Sequence, residues 1–541
     1  MSELTPIQSS QSLLPRKRVL VVNCYFDYSR ERIRRPTKFP QAVGPIFLAG
    51  AFSRELCEVR CYDELSSGPL EDESLLGWSD MLVLTGLTHC FDRMLHLTAY
   101  ARTKSAKVIV VAGGPAVRAL PLLAEKFFDY SCLGDIEELR EVITDAWGEV
   151  YAAEQMLPRF DLAYWIKLVS HVETTRYCNF HCSFCSLTGE GRAYQTYDLE
   201  SIRQQIVAAG RRRKLLFVDN NFYGNDREHF RRRIDLIKEL RAAGQFRNWA
   251  ALVTNDFFSK QENLTLARES GCELLFSGVE SFDSGWLRTF NKLQNTSAPQ
   301  VEMISRCLNA GIIFCYGLML DISTRTIADL RRELEFITGT PEITLPAFIT
   351  LAIPILGTPY FYECVNNRTM LPDTKLRDMD GITIVQKTLD PIDRAVEFVR
   401  GVEQFRGLRS RVIKHSVRFF SLYRSKLNPL QMSIGFEQGL LLSAHTLMTS
   451  TTALGWMKKG RTRTYVSTTE AADQTYTPAF RVDSRFRNHF QPTMVTDRSG
   501  NLANQLIDSG LLRSEPARIE HRAVALGSNG PRGDLLQNRE R

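Results

Sequence analysis

The chain lacks the features that mark membrane and secreted proteins. Its longest apolar run, residues 345–356, is too short to cross a bilayer and contains Pro346 and Pro354. The opening residues 1–18 are polar and serine-rich, and their basic residues follow rather than precede any apolar run, so they do not predict a secretory signal. We therefore expect a cytoplasmic protein without transmembrane segments.

Cysteine is sparse, with 12 in 541 residues, and most of them are scattered. Scattered cysteines of this kind predict small buried side chains in a reducing compartment rather than a disulfide framework. The exception is one loop that carries Cys178, Cys182 and Cys185. No fourth cysteine lies beside them, and the second Cys-x-x-Cys pair that completes many zinc sites is missing.

Three thiolates on one short loop can converge on one face of an iron–sulfur cube, because sulfur suits iron and the short gaps bring the side chains together. The missing fourth ligand would leave one iron open, as catalytic metal centres require. Two other interpretations stay open from the residues alone. The three thiols could be buried together by chance, or they could hold a zinc ion with His181.

The loop, with the aromatic Phe184 before its last cysteine, resembles the CxxxCx(aromatic)C signature of the radical S-adenosylmethionine (SAM) enzymes. The resemblance implies that Cys178, Cys182 and Cys185 hold a 4Fe–4S cluster whose open iron chelates SAM. It also implies that an electron from the cluster splits SAM into methionine and a 5′-deoxyadenosyl radical. A contact between Phe184 and SAM, and a flavodoxin- or ferredoxin-type reductant as partner, follow from the same resemblance.

The residues before this loop predict an open, doubly wound parallel sheet. Short runs rich in β-branched residues alternate with helical patterns, and such sheets bind ligands at the carboxyl ends of their strands. The predicted strands are residues 19–23, 59–63, 81–85 and 108–112. Gly113, Gly114 and Pro115 follow the fourth strand, where glycines allow either a close backbone approach to a ligand or a tight turn.

The order of features in this sheet resembles the cobalamin-binding domain that precedes many radical SAM cores. The features are Gly44-Pro45, Asp63, Gly113-Gly114-Pro115 and Gly134-Asp135, the last of which replaces the usual glycine–glutamate pair. No Asp-x-His-x-x-Gly motif occurs, so the resemblance implies cobalamin held without a lower histidine ligand, at Gly113, Gly114 and Pro115. The alternative is a domain that no longer binds cobalamin and only packs on the core.

The next segment predicts six parallel strands separated by helices, at residues 166–174, 215–219, 249–254, 273–280, 312–320 and 347–353. Over residues 169–387 it resembles the partial (β/α)6 barrel of the radical SAM core. In that family the ends of the second and fourth strands line the SAM site, which makes Asp219, Asn220 and Glu280 candidate SAM contacts. Helix capping is the competing interpretation, above all for Asn220. The turn at Asp321 departs from the family pattern.

The carboxyl-terminal region has an uneven charge. Residues 400–463 carry twelve lysines and arginines against Glu403 and Glu437, interleaved with apolar residues in a pattern typical of an amphipathic basic helix. Such a helix could face an anionic substrate, nucleic acid or a peripheral membrane surface, or it could be a solvated face packed on the barrel. The tail is rich in glycine, proline, asparagine and charge.

The predicted organisation is a disordered segment 1–15, a Rossmann-like cobalamin-binding domain 16–150, a linker 151–165, a radical SAM core 166–394, a mostly helical substrate or cover region 395–513 and a disordered tail 514–541. The function that the resemblance implies is cobalamin-dependent methyl transfer to an unactivated carbon. Radical cyclisation, oxidation or rearrangement, with or without cobalamin, is the alternative. A non-catalytic iron–sulfur sensor is a more distant one, and the residues do not decide whether the substrate is anionic or apolar.

Overall fold

The computed structural model describes residues 14–25, 42–70, 72–166, 169–224, 226–371, 374, 376–381, 383–399 and 407–447. The predictions for the lead-in 1–13, for most of the carboxyl-terminal region 395–513 and for the tail 514–541 therefore lie outside the described residues.

The amino-terminal part forms a parallel sheet in the order β2-β1-β3-β4-β5. Its strands are β1 (Lys17–Asn23), β2 (Cys57–Asp63), β3 (Met81–Thr85), β4 (Ile109–Gly113) and β5 (Tyr130–Cys132). The four predicted strands are confirmed, and β5 is an addition. From β1 the chain first adds β2 on one side and then adds β3, β4 and β5 on the other, so the order of strand addition changes direction between β1 and β3. In sheets of this order, ligands bind in the crevice at the carboxyl ends of the strands, beside the point where the order changes.

Helices cover this sheet. They are α1 (Gly44–Leu48), α2 (Glu64–Ser67), α3 (Glu73–Trp78), α4 (Phe91–Lys104), α5 (Pro115–Ala119), α6 (Pro121–Ala124) and α7 (Ile136–Trp147). Residues of the predicted linker complete the same core, because Tyr151, Phe160 and Trp165 are buried against β1, β2 and α7. The indole of Trp165 donates a hydrogen bond of 2.8 Å to the carbonyl of Ala42. The connector is thus packed on the amino-terminal domain.

The next strands form the predicted half-barrel, a parallel sheet in the order β13-β12-β11-β10-β9-β6. They are β6 (Val169–Val172), β9 (Lys214–Phe217), β10 (Asn248–Val253), β11 (Cys272–Glu280), β12 (Ile313–Leu320) and β13 (Phe348–Leu351). A short antiparallel pair, β7 (Thr175–Arg176) and β8 (Gln195–Thr196), brackets the three-cysteine loop. Both the α/β fold class and the six-strand core are confirmed, and the loop emerges at the carboxyl ends of the strands.

The barrel helices follow each strand in turn. They are α8 (Ser186–Glu190), α9 (Leu199–Ala208), α10 (Arg227–Ala242), α11 (Gln261–Glu269), α12 (Ser284–Thr289), α13 (Gln300–Asn309), α14 (Ile327–Gly339), α15 (Pro359–Asn366) and α16 (Ile392–Val399). Several begin at the side-chain caps that sequence favours, such as Asp198, Asp226 and Thr326. Their apolar faces bury one side of the sheet.

Two further helices, α17 (Leu408–Tyr423) and α18 (Pro429–Leu447), pack on the barrel. Helix α17 buries Val412 and Phe419 and exposes Arg411 and Lys414, so the predicted amphipathic basic helix is present with its charges toward solvent. Within the described residues, no helix is long and apolar enough to span a membrane.

Candidate active site

The three-cysteine loop is held by the turns that follow two barrel strands. The amide of Ser183 donates to the carbonyl of Phe290 at 2.9 Å, and the amide of Tyr360 donates to the carbonyl of Ser183 at 3.0 Å. The side chain of Asn291 donates to the carbonyl of His181 at 2.8 Å. Segments distant in sequence therefore fix the backbone of the loop at the mouth of the barrel, where barrel enzymes place their chemistry.

The thiols of this loop are close enough to influence one another. The pKa of Cys178 is raised to about 11, mainly by burial and to a smaller extent by the neighbouring thiols Cys185 and Cys182, although the Phe180 backbone and Lys292 lower it. Burial likewise raises the pKa of Cys185. Three thiolates could share this pocket only if positive charge compensated their negative charges, and the iron atoms of a cluster would supply that positive charge.

The cysteine loop carries ligands of the kind that an iron–sulfur cluster uses, and each cysteine of such a cluster binds a different iron atom. Among the residues that the structure describes, no group of three His, Cys, Asp or Glu side chains is arranged to hold a single metal ion. The amide of Gln294 also donates to Cys182 Sγ at 3.3 Å, a contact of the kind that tunes cluster thiolates.

Glu280 ends β11 beside this pocket with a backbone φ of 61°, which is strained for a residue with a side chain. Its carboxylate accepts a 2.8 Å ion pair from Lys292. Burial lowers the pKa of Lys292, but the attraction of Glu280 and of the Cys182 thiol outweighs burial, so the pKa is raised overall. The Lys292 ammonium lies 5.5 Å from the ring centre of Phe184. The predicted residues Glu280 and Phe184 thus share one pocket with the cysteine loop.

Asp219 and Asn220 are placed differently from each other. Asp219 is fully buried, and one oxygen accepts from the amides of Thr174 and Thr175 at 2.5 and 2.9 Å while the other accepts from the Thr174 hydroxyl. Burial raises the pKa of Asp219 to about 6, although the nearby Arg233 lowers it. These bonds fix the strand exit that leads into the cysteine loop. Asn220 is exposed, and both predicted contacts to SAM stay predictions.

Asn221, which the sequence does not single out, reaches the loop directly. Its side-chain amide nitrogen donates to the side-chain oxygen of Asn179 at 2.7 Å, and its own buried side-chain oxygen, Oδ1, has no hydrogen-bond partner. An unpartnered buried oxygen beside the candidate SAM pocket is a polar group available to a ligand. The only signal in the sequence is its position two residues after Asp219 at a strand end.

A cavity of about 350 Å³ lies at the carboxyl edge of the amino-terminal sheet. It is bounded by α1, by the ends of β3, β4 and β5, and by residues of the barrel, and its wall is mostly apolar with several glycines. The lining includes Gly44, Val83, Thr85, Gly113, Gly114, Gly134, Ile136, Glu173, Arg176 and Val218. Two of the predicted cobalamin-binding residues line it, and the third, Pro115, begins α5 directly after them.

Among the glycines of this cavity, Gly114 is required by close packing. Gly114 has φ 113°, and a Cβ atom there would lie 2.6 Å from the carbonyl oxygen of Gly86. The absence of a side chain at Gly114 therefore lets the start of α5 pack closely on the backbone at Gly86, and this packing sets the position of the cavity wall. The barrel residues Glu173 and Val218 complete the cavity, so a cofactor on the amino-terminal sheet would face the barrel. The described lining contains no histidine. Its glycines and apolar side chains, together with Arg118, Asp135, Glu173 and Arg176, fit a large cofactor that is held by shape, backbone and polar contacts rather than by a histidine ligand.

Polar contacts tie the two domains together beside the cysteine loop. The Tyr177 hydroxyl, one residue before Cys178, donates to the carboxylate of Asp135, and Arg192 donates to that hydroxyl at 2.8 Å. Arg118 of α5 donates to the carbonyl of Gly134 at 3.0 Å and pairs with Glu190 of α8. The Gly134-Asp135 segment therefore contacts the base of the cysteine loop, an interaction across 42 residues that no local pattern predicts.

We expect Tyr177→Phe to weaken retention of the cluster by roughly 10- to 100-fold, the cost typical of losing an outer-shell partner of a metal site. The physical reason is that the Tyr177 hydroxyl, which donates to Asp135 and accepts from Arg192, anchors the residue that directly precedes Cys178. The measurement is bound iron per protein after anaerobic desalting. The matched control is Tyr130→Phe, which removes a 2.6 Å bond to Asp145 remote from the loop. Equal amounts of bound iron in Tyr177→Phe and Tyr130→Phe would contradict a role of the Tyr177 hydroxyl in retaining the cluster.

Comparison with known proteins agrees with this geometry. Residues 172–337, which include the three cysteines, match the model of the Radical SAM superfamily. The chain therefore contains a radical SAM domain, and the predicted core with a 4Fe–4S cluster and SAM as its cofactors is confirmed.

The more particular relatives are methyltransferases. The chain is 24% identical over 330 residues to the hopanoid C-2 methylase of Rhodopseudomonas palustris (strain TIE-1), covering 57% of this chain and 62% of that protein. It is 27% identical over 195 residues to the bacteriochlorophyllide d C-12(1)-methyltransferase of Chlorobaculum tepidum, covering 35% and 41%. The chain thus spans less than two thirds of the length of these curated relatives.

A solved structure extends the likeness beyond the barrel. The cobalamin-dependent S-adenosylmethionine radical enzyme OxsB, with aqua-cobalamin and S-adenosylmethionine bound, matches with a TM-score of 0.55 at 14% identity, over 80% of this chain and 72% of that chain. At this identity the match shows a shared fold over most of the chain.

Proposed function

We propose that the protein is a radical SAM enzyme that depends on cobalamin and methylates an unactivated carbon. One observation carries the proposal. The cavity on the amino-terminal sheet is closed by Glu173 and Val218 of the barrel, and the loop with Cys178 begins five residues after Glu173. A cofactor in that cavity and a cluster on that loop would therefore serve the same barrel mouth.

Residues on both sides fit the two cofactors. Cys178, Cys182 and Cys185 would hold the cluster. The proposed SAM contacts are Phe184, Asp219, Asn220, Asn221 and Glu280. Gly113, Gly114 and Pro115 would support cobalamin. When bound, the cluster would supply the electron that cleaves SAM to a hydrogen-abstracting radical, and cobalamin would supply the methyl group.

The protein's own contribution is placement, charge balance and exclusion of water. The cysteine loop is covered by a buried apolar group that contains Phe184, Trp286, Phe290 and Tyr360. Such a cover protects reactive species from solvent and strengthens the electrostatic effect of charges inside it. Lys292, paired with Glu280, keeps one fixed positive charge beside the thiols. Asp219 accepts hydrogen bonds from the amides of Thr174 and Thr175 and so fixes the backbone that leads into the cysteine loop.

The relatives support methyl transfer as the reaction class, since the matched proteins bear the names of a hopanoid methylase and of bacteriochlorophyllide methyltransferases. We carry over carbon methylation from them and not their substrates. A flavodoxin- or ferredoxin-type protein in the cytoplasm would supply the electrons, because reductive cleavage of SAM consumes one electron at each turnover.

The test uses full-length protein produced with cobalamin and purified without oxygen. We expect cobalamin absorption bands beside a broad iron–sulfur shoulder, and formation of 5′-deoxyadenosine when SAM and a strong reductant are added. SAM with a deuterated methyl group, incubated with a small-molecule extract of the source cells, should yield a product that carries the label. Absence of SAM cleavage under strong reduction would favour a non-catalytic iron–sulfur protein. Cleavage without cobalamin bands or labelled product would favour the alternative radical reactions.

A further inference from the structure

The inner face of the half-barrel can be identified from strand alternation. Leu215 and Phe217 of β9, and Ala251 of β10, lie on the face that packs against the helices. The alternate residues point to the other face, which we call the lumen face. The register of the strands shows which residues of adjacent strands are neighbours on the lumen face. The neighbouring pairs are Leu216–Ala250, Leu252–Phe276, Phe276–Cys315, Gly317–Phe348 and Met319–Thr350.

An aromatic wall stands on this face. The rings of Phe276 and Phe348 stack with centres 5.6 Å apart and planes 11° apart, although their strands are separated by β12. They meet over Gly317, where a Cβ atom would lie only 2.6 Å from the Phe348 ring. Phe348 is nevertheless 50% exposed. Phe276 is half-buried. A stacked aromatic pair with one exposed ring on the inner face of a barrel indicates a surface that a ligand covers.

The wall is continuous with the candidate active site. Met319 lies on the same face, two residues above Gly317, and packs into the apolar group that contains Cys182 and Phe184. A ligand resting on the aromatic wall would therefore lie below the cysteine loop. Because the aromatic wall adjoins the candidate active site, we interpret it as part of that site and not as an ordinary exposed surface.

The lumen face offers no free charge to a ligand among the described residues. Lys214 and Glu273 pair with each other at 3.2 Å at its lower end. Glu280 and Lys292 pair at 2.8 Å at its upper end. Between them the register positions are apolar side chains, glycine, cysteine, threonine and His171, and the amide of Gln438 from α18 donates to Cys315 at 2.9 Å. A charged substrate group would lose its hydration there without gaining a partner.

One buried polar group on this face has no partner. His171 lies on the alternate face of β6 from Val172, which packs in the helix-facing core, and it is paired in register with Leu216. It is 5% exposed, and its Nδ1 atom makes no hydrogen bond. Burial lowers the pKa of His171 to about 4, so the ring is neutral near pH 7. A neutral imidazole can donate one hydrogen bond and accept another.

We infer that the barrel lumen binds an uncharged, largely apolar substrate whose flat hydrocarbon face rests on Phe276 and Phe348 and whose single neutral polar group hydrogen-bonds to His171. The inference rests on the proposed function for the reaction performed there, and it adds the substrate class. A hydroxyl or carbonyl group can hydrogen-bond to a neutral imidazole at no cost in charge burial, whereas a carboxylate or phosphate would also need a positive charge that the described lumen face does not offer.

The first experiment measures binding of Nile red, an uncharged flat fluorophore, to the full-length protein by equilibrium dialysis without SAM. We expect one saturable site and about tenfold weaker binding by Phe348→Ala, because the aromatic contact area is lost. The matched control is Phe336→Ala on the outer surface of α14, a phenylalanine 46% exposed, which should bind as the wild type does. Equal binding by both variants, or no saturable binding because another part of the chain fills the lumen, would overturn the inference.

The second experiment displaces Nile red with three flat ligands of one shape: 2-naphthol, 2-chloronaphthalene and 2-naphthoate. We expect 2-naphthol to bind best, 2-chloronaphthalene about tenfold weaker and 2-naphthoate weakest. His171→Leu should remove the preference for 2-naphthol over 2-chloronaphthalene. Ser170→Ala, which removes a buried unpartnered hydroxyl on the opposite face of β6, should keep it. Strongest binding of 2-naphthoate, or an unchanged preference in His171→Leu, would overturn the inference.

These measurements need no turnover, so the two proposals fail separately. A protein that ranks the naphthalenes as expected but never cleaves SAM would overturn the proposed function and leave the ligand class standing. A protein that cleaves SAM but binds 2-naphthoate best would overturn the inferred ligand class and leave the proposed function standing.

Discussion

The variant Cys182→Ala should lose reductive cleavage of SAM almost completely while the chain stays folded. Two remaining thiolates cannot hold a cube that three residues of the protein should anchor. We expect the loss to exceed the roughly 10- to 100-fold that follows from removing an outer-shell partner of a metal site. The measurement is 5′-deoxyadenosine formed per protein under strong reduction, together with bound iron and zinc and a thermal unfolding curve.

The control for this variant is Cys364→Ala. Cys364 is buried in the same apolar group as Cys182 and accepts a 3.1 Å hydrogen bond from Gln386, so its replacement removes similar packing without removing a predicted ligand. Each substitution should change the free energy of unfolding by about 1 kcal/mol, the usual size for a single small change. If Cys182→Ala retains deoxyadenosine formation, or if zinc rather than iron is lost, the ligand assignment is wrong.

The strands of both sheets could be predicted because buried parallel strands are short continuous apolar runs, and such runs need only local sequence to be recognised. The predicted strand 215–219 overlaps the observed Lys214–Phe217, and 81–85 agrees with Met81–Thr85. The strand Tyr130–Cys132 has only three residues and leaves no comparable signal. The β7–β8 pair was also not predicted, since two-residue strands carry no periodicity.

The candidate site was predictable where its chemistry is local and not where it depends on tertiary contacts. The three cysteines share one loop, so their spacing can be recognised in the sequence as similar to the signature of the radical SAM enzymes. A carboxylate at a strand end, such as Asp219, can contact a ligand or bind backbone amides, and only the fold reveals its bonds to Thr174 and Thr175. The contact between Tyr177 and Asp135 and the unpartnered state of His171 depend on residues far apart in sequence.

The variant Gly114→Val should lose cobalamin while keeping the cluster. A valine side chain at φ 113° is strained, and its Cβ atom would collide with the carbonyl of Gly86 at 2.6 Å. The wall of the cavity must then move, and a misplacement of about 1 Å can cost on the order of 100-fold at a preorganised site. The measurement is cobalamin absorbance per protein after desalting, read beside the iron–sulfur shoulder.

Backbone strain alone must be separated from damage to the cavity, and Gly148→Val provides that control. Gly148 has φ 101°, close to that of Gly114, but a Cβ atom there would meet nothing within 4 Å, and Gly148 does not line the cavity. Both variants should therefore share the strain, about 1–3 kcal/mol in the free energy of unfolding, while only Gly114→Val releases cobalamin. The shoulder should persist in both, because the cluster loop lies on the barrel. Equal retention of cobalamin would mean that Gly114 is a folding requirement of the α5 turn and that cobalamin, where bound, rests on another surface.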